Sequence, residues 1–375
     1  MKSNPVVFPF VEFQDLSNKK IIKNFLKPKI IDWQQIKNFL DIVKKPNLSL
    51  SKKTIIEEKI FDIFLDDNFL FGKKNYVLDY KKYWIEKLSY FTKNKKPIKF
   101  TLLGFPFKAP LILKTIRTVP DMGDVLVLNQ LKNFVLAIKE VYSPGAVVYL
   151  VTEGCFGRFT GIKTKNIKKY HQFLNEIINE LDFENFIKII PLNKLETYDD
   201  FKKIYKEQII NFKEKYLKKD DDFIKKYKNA FPSIFHIVNP RTKDVLFLMD
   251  VYNRNLETKD KKINEKRKEI QERTHKAIIK YFSYLKTRDI LNFLEKEVPN
   301  GLSLSVSPKP ERIGLLPINK KIDKLPHHAM TVFYKKENKF FLHYYIDILR
   351  MNLKFQPVYL MDDVEKKPFF FIVYE

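Results

Sequence analysis

A chain of 375 residues, 45% of them hydrophobic, is long enough to bury a sizeable core, and this composition excludes a disordered protein. The single cysteine, Cys155, excludes an internal disulfide and a multi-cysteine metal site. A formal charge of +25 fits a nucleic-acid partner or a phosphate-bearing small substrate. However, the lysines are spread from end to end and alternate with acids, as on solvated helix faces, which argues against a nucleic-acid role.

The N-terminal residues MKSNPVVFPFVEF do not have the basic-then-apolar pattern of a signal peptide. No stretch approaches the roughly 18 apolar residues of a membrane span. We therefore expect a cytoplasmic protein without a membrane partner.

Residues 1–95 are predicted to form a mainly helical region that packs on the core. The stretch TIIEEKIFDIF carries apolar residues at Ile56, Ile60 and Ile63, a spacing that gives a helix one apolar face.

Residues 96–240 alternate between strand and helix patterns and are predicted to form the core domain. Strands are predicted at IKFTLLGF, GAVVYLVTE and FIKIIPL, and the second is nearly all apolar, as in a parallel sheet covered on both faces. Helical spacing separates them in DVLVLNQLKNFVLAIKEVY and NIKKYHQFLNEIINEL. This β-α-β-α-β order predicts a right-handed, mostly parallel sheet of a modified Rossmann-like type.

Residues 241–375 are predicted to form a smaller α+β region. Charged helical patterns cover residues 199–240 and 258–297. Short strand candidates follow in SLSVSP, AMTVFYK, FFLHYYI and PFFFIVYE. The predicted fold class is therefore α/β, with a smaller C-terminal α+β domain.

Two loops are predicted to form the binding site, because ligands of open parallel sheets bind beyond the carboxyl ends of the strands. The first predicted strand ends in GFPFKAP and the second in EGCFGRFTG. Neither is followed by G-x-G-x-x-G, and the chain has no Walker motif, so we do not expect NAD, FAD or ATP.

The prolines of GFPFKAP predict a stiff loop, since they fix φ and remove backbone donors. Lys108 would then project at the mouth of the crevice, where a cation binds phosphate or carboxylate. The alternative is that Phe105 and Phe107 pack in the core while Lys108 is one of many solvated lysines.

Two acids, Asp121 and Asp124, precede the long predicted helix in TVPDMGDVL. Acids are common at helix N-termini, which explains both without a catalytic role. An alternative role for Asp121 is to hold a substrate ammonium group.

These segments resemble the isonitrile (isocyanide) synthase family of pyoverdine and dityrosine biosynthesis. The family pattern is approximately F-P-x-K-S-P-N, a lysine, L-P-D-M-A-E, Y-P-P-G-A and S-D-G-R. This chain has FPFKAP, Lys114, VPDMGD, YSPGA and TEG in the same order. Nearer the C-terminus, SLSVSP and LPHHA resemble R-L-S-I-H-P and T-P-W-H-G, which places His328 on the family's histidine.

The resemblance implies a metal-free reaction without a cofactor. In it, the amine of an amino acid, typically tyrosine or tryptophan, condenses with the ketone of ribulose 5-phosphate, and fragmentation of the sugar leaves an isonitrile. An oxygenase acting on the product is an expected pathway partner. The implied catalytic residues are Lys108, Asp121, Glu153 and His328. The implied substrate and phosphate-binding residues are Lys114, Arg158, Lys309 and Arg312.

Several polar family positions differ in this chain. The serine and asparagine of the first motif are replaced by Ala109 and Leu111, and D-G-R is replaced by Glu153, Gly154 and Cys155. Arg158 is predicted to replace the lost arginine, whereas Cys155 is predicted to be a packing residue. A family member that binds a metabolite or partner without turnover, and a nucleic-acid-binding protein, are the alternatives.

Overall fold

The computed structural model describes residues 25–42, 55–108, 114–238, 261–306, 311–318 and 324–374. Two five-stranded sheets and the helices around them make up this part of the chain. In chain order the strands are β1 (Lys29–Ile31), β2 (Ile98–Gly104), β3 (Ala146–Thr152), β4 (Ile187–Pro191), β5 (Leu302–Ser305), β6 (Ile313–Gly314), β7 (Met330–Tyr334), β8 (Lys339–His343), β9 (Phe355–Leu360) and β10 (Phe370–Val373).

The helices lie between these strands. In chain order they are α1 (Trp33–Ile42), α2 (Ile56–Phe64), α3 (Lys74–Leu78), α4 (Lys81–Lys93), α5 (Met122–Val141), α6 (Gly154–Phe159), α7 (Thr164–Glu180), α8 (Phe201–Leu217), α9 (Asp221–Val238), α10 (Lys261–Ile290), α11 (Phe293–Glu297) and α12 (Tyr345–Arg350).

The first sheet has the strand order β4-β3-β2-β5-β6 and is parallel throughout, so the predicted α/β class is confirmed. Leu102 of β2 pairs with Leu150 of β3 and with Leu304 of β5, and these leucines join the main hydrophobic core. Val151, one residue further along β3, instead packs with Phe293 in a second cluster. Both faces of the sheet are therefore covered, as the apolar β3 predicted.

The direction of the chain through this sheet reverses beside β2. The chain runs from β2 to β3 and β4 on one side, and then returns to place β5 on the other side of β2. Between β4 and β5 lie the helices α8, α9 and α10, which confirms the helical patterns predicted in that region. In open α/β sheets, such a reversal marks the position where the strand ends leave a crevice.

The second sheet has the order β1-β9-β10-β7-β8 and mixes parallel and antiparallel pairs. Its inner face is aromatic: the ring of Phe39 on α1 lies 5.3 Å from that of Phe333 and 5.2 Å from that of Phe370, both edge-to-face. Such contacts add to the free energy of burying the rings.

Sheet membership does not follow the three predicted regions. The N-terminal β1 joins the second sheet, and β5 and β6 from the last region complete the parallel sheet. The domain limits 1–95, 96–240 and 241–375 stay a prediction. Among the described helices, none has the length and apolar character needed to cross a membrane.

Candidate active site

A cleft lies at the carboxyl ends of β2 and β5, where the strand order reverses. It has about 450 Å³ of empty space, part of it open to solvent. Its walls are mostly apolar, and three polar side chains face it: Asp124, Tyr170 and His327. The predicted site was the crevice beyond β2 and β3. The cleft includes the end of β2, as predicted. Its other side includes Val306, which follows β5 rather than β3.

Lys108 does not project at the mouth of the crevice and does not line the cleft. The residues after β2 form no helix or strand up to Lys108, as predicted, and Phe105 takes a left-handed φ of 50° that turns the chain. The Lys108 side chain is fully buried and forms ion pairs with Asp121 and, at 3.1 Å, with Asp124 Oδ2. The alternative of a solvated Lys108 is therefore wrong, because burying an ammonium requires such partners.

Asp121 and Asp124 form a capping box at the start of α5. The Asp121 carboxylate accepts a hydrogen bond from Gly123 N (2.8 Å), and Asp124 Oδ2 accepts one from Asp121 N (2.9 Å). Both acids therefore cap the N-terminus of α5, as their position before the predicted helix indicated. Asp121 also binds an ammonium, that of Lys108. Burial raises the pKa of Asp121 to about 6, against the opposing effect of Lys108.

Asp124 links this buried ion pair to the cleft. Tyr170 of α7 donates a hydrogen bond from its hydroxyl to Asp124 Oδ1 at 3.0 Å. Burial and the neighbouring Asp124 carboxylate raise the pKa of Tyr170 well above its ordinary value, so it stays a donor at neutral pH. Tyr170 lies in the predicted helix NIKKYHQFLNEIINEL, but no local signal indicates its contact with an acid 46 residues away.

His327, rather than the predicted His328, lines the cleft. The two rings lie next to each other, with centroids 4.0 Å apart, in a 3₁₀ turn that begins at Pro326. Burial lowers the pKa of His327 to about 4, aided by the Lys108 and Lys114 ammonium groups and opposed by Asp124. The imidazole is therefore neutral at physiological pH. A catalytic role for His328 stays a prediction.

Lys114 lies near His327, whose pKa its ammonium group lowers. It is partly buried, which lowers its pKa, and its Nζ lies 5.4 Å from the centroid of the Tyr344 ring. Lys324, which sequence analysis did not single out, contacts the same ring at 5.2 Å. Nothing local in the sequence indicates this pairing, since the two lysines lie on distant segments.

Glu153 lies beyond β3, on the side of the sheet that α10 covers. Its side chain does not cap α6, and its Oε1 accepts a hydrogen bond from the Tyr281 hydroxyl at 3.4 Å. Burial raises the pKa of Glu153, while Arg288 and Arg312 act in the opposite direction. Arg288, a second residue that sequence reasoning missed, is buried and paired with Asp289.

Three other predicted positions have different surroundings. Arg158 is 41% exposed and forms two hydrogen bonds with Glu196, one of them 3.2 Å from Nη1 to Oε2. Cys155 is buried in an apolar cluster, which raises the pKa of its thiol to about 12, as expected of a packing residue. Lys309, like Ala109 and Leu111, lies outside the described residues. In the part of the chain described, no group of three or more His, Cys, Asp or Glu is arranged to hold a metal ion.

The segments around the cleft also carry a family relationship. A family model described as "Pyoverdine/dityrosine biosynthesis protein" matches residues 88–348, which include β2, α5 and the histidine pair. The chain belongs to this family. The resemblance stated from the motifs is therefore confirmed.

Relatives in the pyoverdine/dityrosine biosynthesis family include isonitrile synthases. The chain is 28% identical to an L-tryptophan isonitrile synthase of Fischerella ambigua over 259 residues, 68% of this chain and 73% of that relative. A second L-tryptophan isonitrile synthase of that organism is 28% identical over 162 residues, and the matched part spans 41% of this chain and 49% of that relative. The L-tyrosine isonitrile synthase of Pseudomonas aeruginosa is 31% identical over 98 residues, 26% of this chain and 30% of that relative.

The family fold is also seen in a solved structure, that of the PvcA protein from Pseudomonas aeruginosa. It superposes with a TM-score of 0.64 and covers 85% of this chain and 100% of that chain, at 17% sequence identity. At this identity the likeness concerns the fold alone.

Proposed function

We propose that this protein is an isonitrile synthase that condenses the amine of an aromatic amino acid, tyrosine or tryptophan, with the ketone of ribulose 5-phosphate. The observation that carries the proposal is the cleft at the carboxyl ends of β2 and β5. Apolar walls there surround Asp124, Tyr170 and His327, on segments within the family match. An apolar cleft with a few convergent polar groups is the usual form of a small-molecule site.

The polar groups suit the proton transfers of this reaction. Forming an imine from an amine and a ketone requires a base that removes protons from nitrogen and an acid that protonates the departing oxygen. The neutral His327 imidazole is the proposed base. The hydrogen-bonded pair of Tyr170 and Asp124 is the proposed proton donor. We assign Lys108 and Asp121 as positioning residues, because both are buried and bind the Asp124 carboxylate.

The substrate anions require cations beyond this catalytic group. Lys114 at the edge of the site and Arg312 near Glu153 are the proposed phosphate-binding candidates. Arg158 is a weaker candidate than the sequence suggested, since Glu196 already neutralises it. Glu153 stays a proposed catalytic residue on the α10 side, where burial favours its protonated form by raising its pKa.

Product formation tests this proposal directly. Purified protein is incubated with ribulose 5-phosphate and each common amino acid, and isonitriles are sought by mass spectrometry and by reaction with a tetrazine probe. We expect one aromatic amino acid to be consumed, and Asp124→Asn and His327→Gln to lower the rate at least about 100-fold, the range of acid–base catalysis. No product from any amino acid, while the Fischerella ambigua L-tryptophan isonitrile synthase is active alongside, would contradict it.

A second candidate is a family member that binds a metabolite without turnover. The ion pair between Arg158 and Glu196 favours it, because the proposed replacement for the family arginine is not left open to a substrate. This candidate predicts calorimetric binding of ribulose 5-phosphate or an aromatic amino acid with no isonitrile formed.

A further inference from the structure

Gly123, the second residue of α5, lies where β7 and the histidine turn (Pro326–His328) meet the helix. A Cβ atom on it would lie 2.9 Å from Oγ1 of Thr331 on β7 and 3.2 Å from Cβ of Pro326. Ordinary contacts between non-bonded heavy atoms are about 3.5–4.0 Å. Both segments therefore approach the first turn of α5 this closely only because Gly123 has no side chain.

The first turn of α5 cannot move away from this contact without breaking buried bonds. Asp121 Oδ1, which lies 3.1 Å from the same Cβ position, accepts a hydrogen bond from Gly123 N at 2.8 Å. Asp121 is itself fully buried and paired with Lys108. The histidine turn is closed by a hydrogen bond of its own, from His328 N to the carbonyl oxygen of Leu325 at 2.9 Å. A side chain at position 123 should therefore displace the turn as a unit rather than the helix.

The residues of this contact directly precede two polar groups of the cleft. Asp124 follows Gly123, and His327 follows Pro326; the side chains of Asp124 and His327 both line the cleft. The Asp124 carboxylate is near enough to raise the pKa of His327 against the effect of burial. The distance of the turn from α5 therefore sets the spacing between the acid and the imidazole.

The family motif differs from this chain at the two positions on the helix. L-P-D-M-A-E has alanine and glutamate where VPDMGD has Gly123 and Asp124. A glutamate carboxylate extends one methylene further from its helix than an aspartate carboxylate does. A shorter acid keeps the same spacing to the imidazole only if the turn lies closer, and glycine allows that approach.

We propose that Gly123 is a positioning residue, which admits the histidine turn against α5 and so matches the position of His327 to the short side chain of Asp124. The assignment rests on the proposed function, in which these two groups transfer protons. Proton transfer requires groups within hydrogen-bond reach of the reacting atoms, and a misplacement of about 1 Å costs up to about 100-fold in rate.

Nuclear magnetic resonance tests the placement without turnover, so its result is separable from failure of the proposed function. The protein is isotopically labelled at histidine and titrated, and the His327 signal is identified by its absence in His327→Gln. In Gly123→Ala the displaced turn should be less buried, so the His327 pKa should rise from about 4 toward its ordinary value of 6.5. Gly154→Ala, which crowds α6 against α7 instead, is the matched control, and its His327 should titrate as in wild type.

A second variant keeps the test decisive if Gly123→Ala does not fold. Gly123→Ala/Thr331→Ala removes the nearer contact, and with it a buried hydroxyl that has no hydrogen-bond partner among the described residues. It keeps the contact with Pro326, so its His327 pKa should also lie above the wild-type value. An unchanged His327 pKa in every folded variant at position 123 overturns the proposal.

Steady-state kinetics then tests the match between Gly123 and Asp124. Gly123→Ala and Asp124→Glu should each lower kcat about 10-fold or more, with KM for both substrates within about threefold. Gly123→Ala/Asp124→Glu, which has both residues of the family motif, should exceed both single variants in kcat. A double variant that is no faster than the single variants shows that the two positions act independently and overturns the proposal. If wild type forms no isonitrile, the proposed function fails, whereas the His327 titration still decides whether Gly123 sets the position of the turn.

Discussion

Lys108 is enclosed by two carboxylates at the first turn of α5, and all three side chains are at most 2% exposed. A buried charge without a partner is costly, so each member of the group requires the others. The group fixes the loop after β2 against α5 and holds Asp124 where its second oxygen meets Tyr170. The lysine of the first motif is therefore structural in its contacts, and it positions a carboxylate of the site.

Replacing Lys108 tests how far the fold depends on this group. Lys108→Met leaves two buried carboxylates without their cation and should lower the free energy of unfolding by about 3–5 kcal/mol at pH 7, measured by urea denaturation. The control Lys81→Met removes a more exposed ion pair with Glu58 and should change it far less. Similar losses of unfolding free energy in the two variants would show that the buried ion pairs of Lys108 stabilise the fold no more than the exposed pair does.

The lowered pKa of His327 predicts how the stability of the protein depends on pH. Its pKa is about 4 in the folded protein, whereas its ordinary value is 6.5. Between pH 4 and pH 6.5, the unfolded chain therefore binds a proton that the folded protein does not bind. The contribution of His327 to stability is therefore full above pH 6.5 and is lost as pH falls toward 4.

His327→Gln removes this contribution. From pH 7 to pH 4, wild type should lose more stability than the variant, as followed by urea denaturation at each pH. Asp121 acts in the opposite direction, because its pKa is raised to about 6, but it is present in both proteins and largely cancels in the difference. Parallel stability curves would mean that the histidine takes up its proton at the same pH in the folded and the unfolded protein.

At the scale of elements, the short helix α6 lies close against α7. A Cβ atom at Gly154 would lie 2.3 Å from Cε1 of His171 and 2.8 Å from Cγ2 of Ile167, both on α7. The backbone of α6 approaches α7 because Gly154 has no side chain. This approach sets the position of α6, which begins directly after Glu153.

Gly154→Ala should therefore separate α6 from α7. We expect a loss of about 1–3 kcal/mol in unfolding free energy, the usual cost of overpacking, measured by chemical denaturation. Gly104→Ala is the matched control at the end of β2, since its Cβ would meet only Leu150 Cδ1, at 4.0 Å. A neutral Gly154→Ala would indicate that α6 shifts at little cost.

At the scale of the whole molecule, the two sheets share one hydrophobic core. The main cluster contains Leu102 of the parallel sheet and Phe370 of the second sheet. Arg117, on the segment before α5, is fully buried and binds Asp363 on the segment between β9 and β10 through both guanidinium nitrogens Nη1 and Nη2. It also donates to the carbonyl oxygen of Lys367 at 2.8 Å. We therefore expect the described parts of the chain to unfold together.

Arg117→Met tests this cooperativity. The variant leaves Asp363 buried without its cation and should lose about 3–5 kcal/mol, in one transition rather than two. Far-UV circular dichroism and tryptophan fluorescence should give the same midpoint, and Arg350→Met, at the exposed end of α12, should match wild type. Separate midpoints for the two probes would mean that the sheets unfold independently.

The sequence was sufficient for the segment from β2 to β4, because local periodicity and the order of strands and helices decide it. It was sufficient for the family as well, since the motifs around Lys108 and Asp121 keep their order. Three features depend on contacts between distant segments: the pairing of β5 with β2, the position of His327 on the wall of the cleft, and the approach of Lys114 and Lys324 to the Tyr344 ring. Such contacts follow from how helices and sheets pack, which no local pattern records, and they decide which polar groups face the cleft.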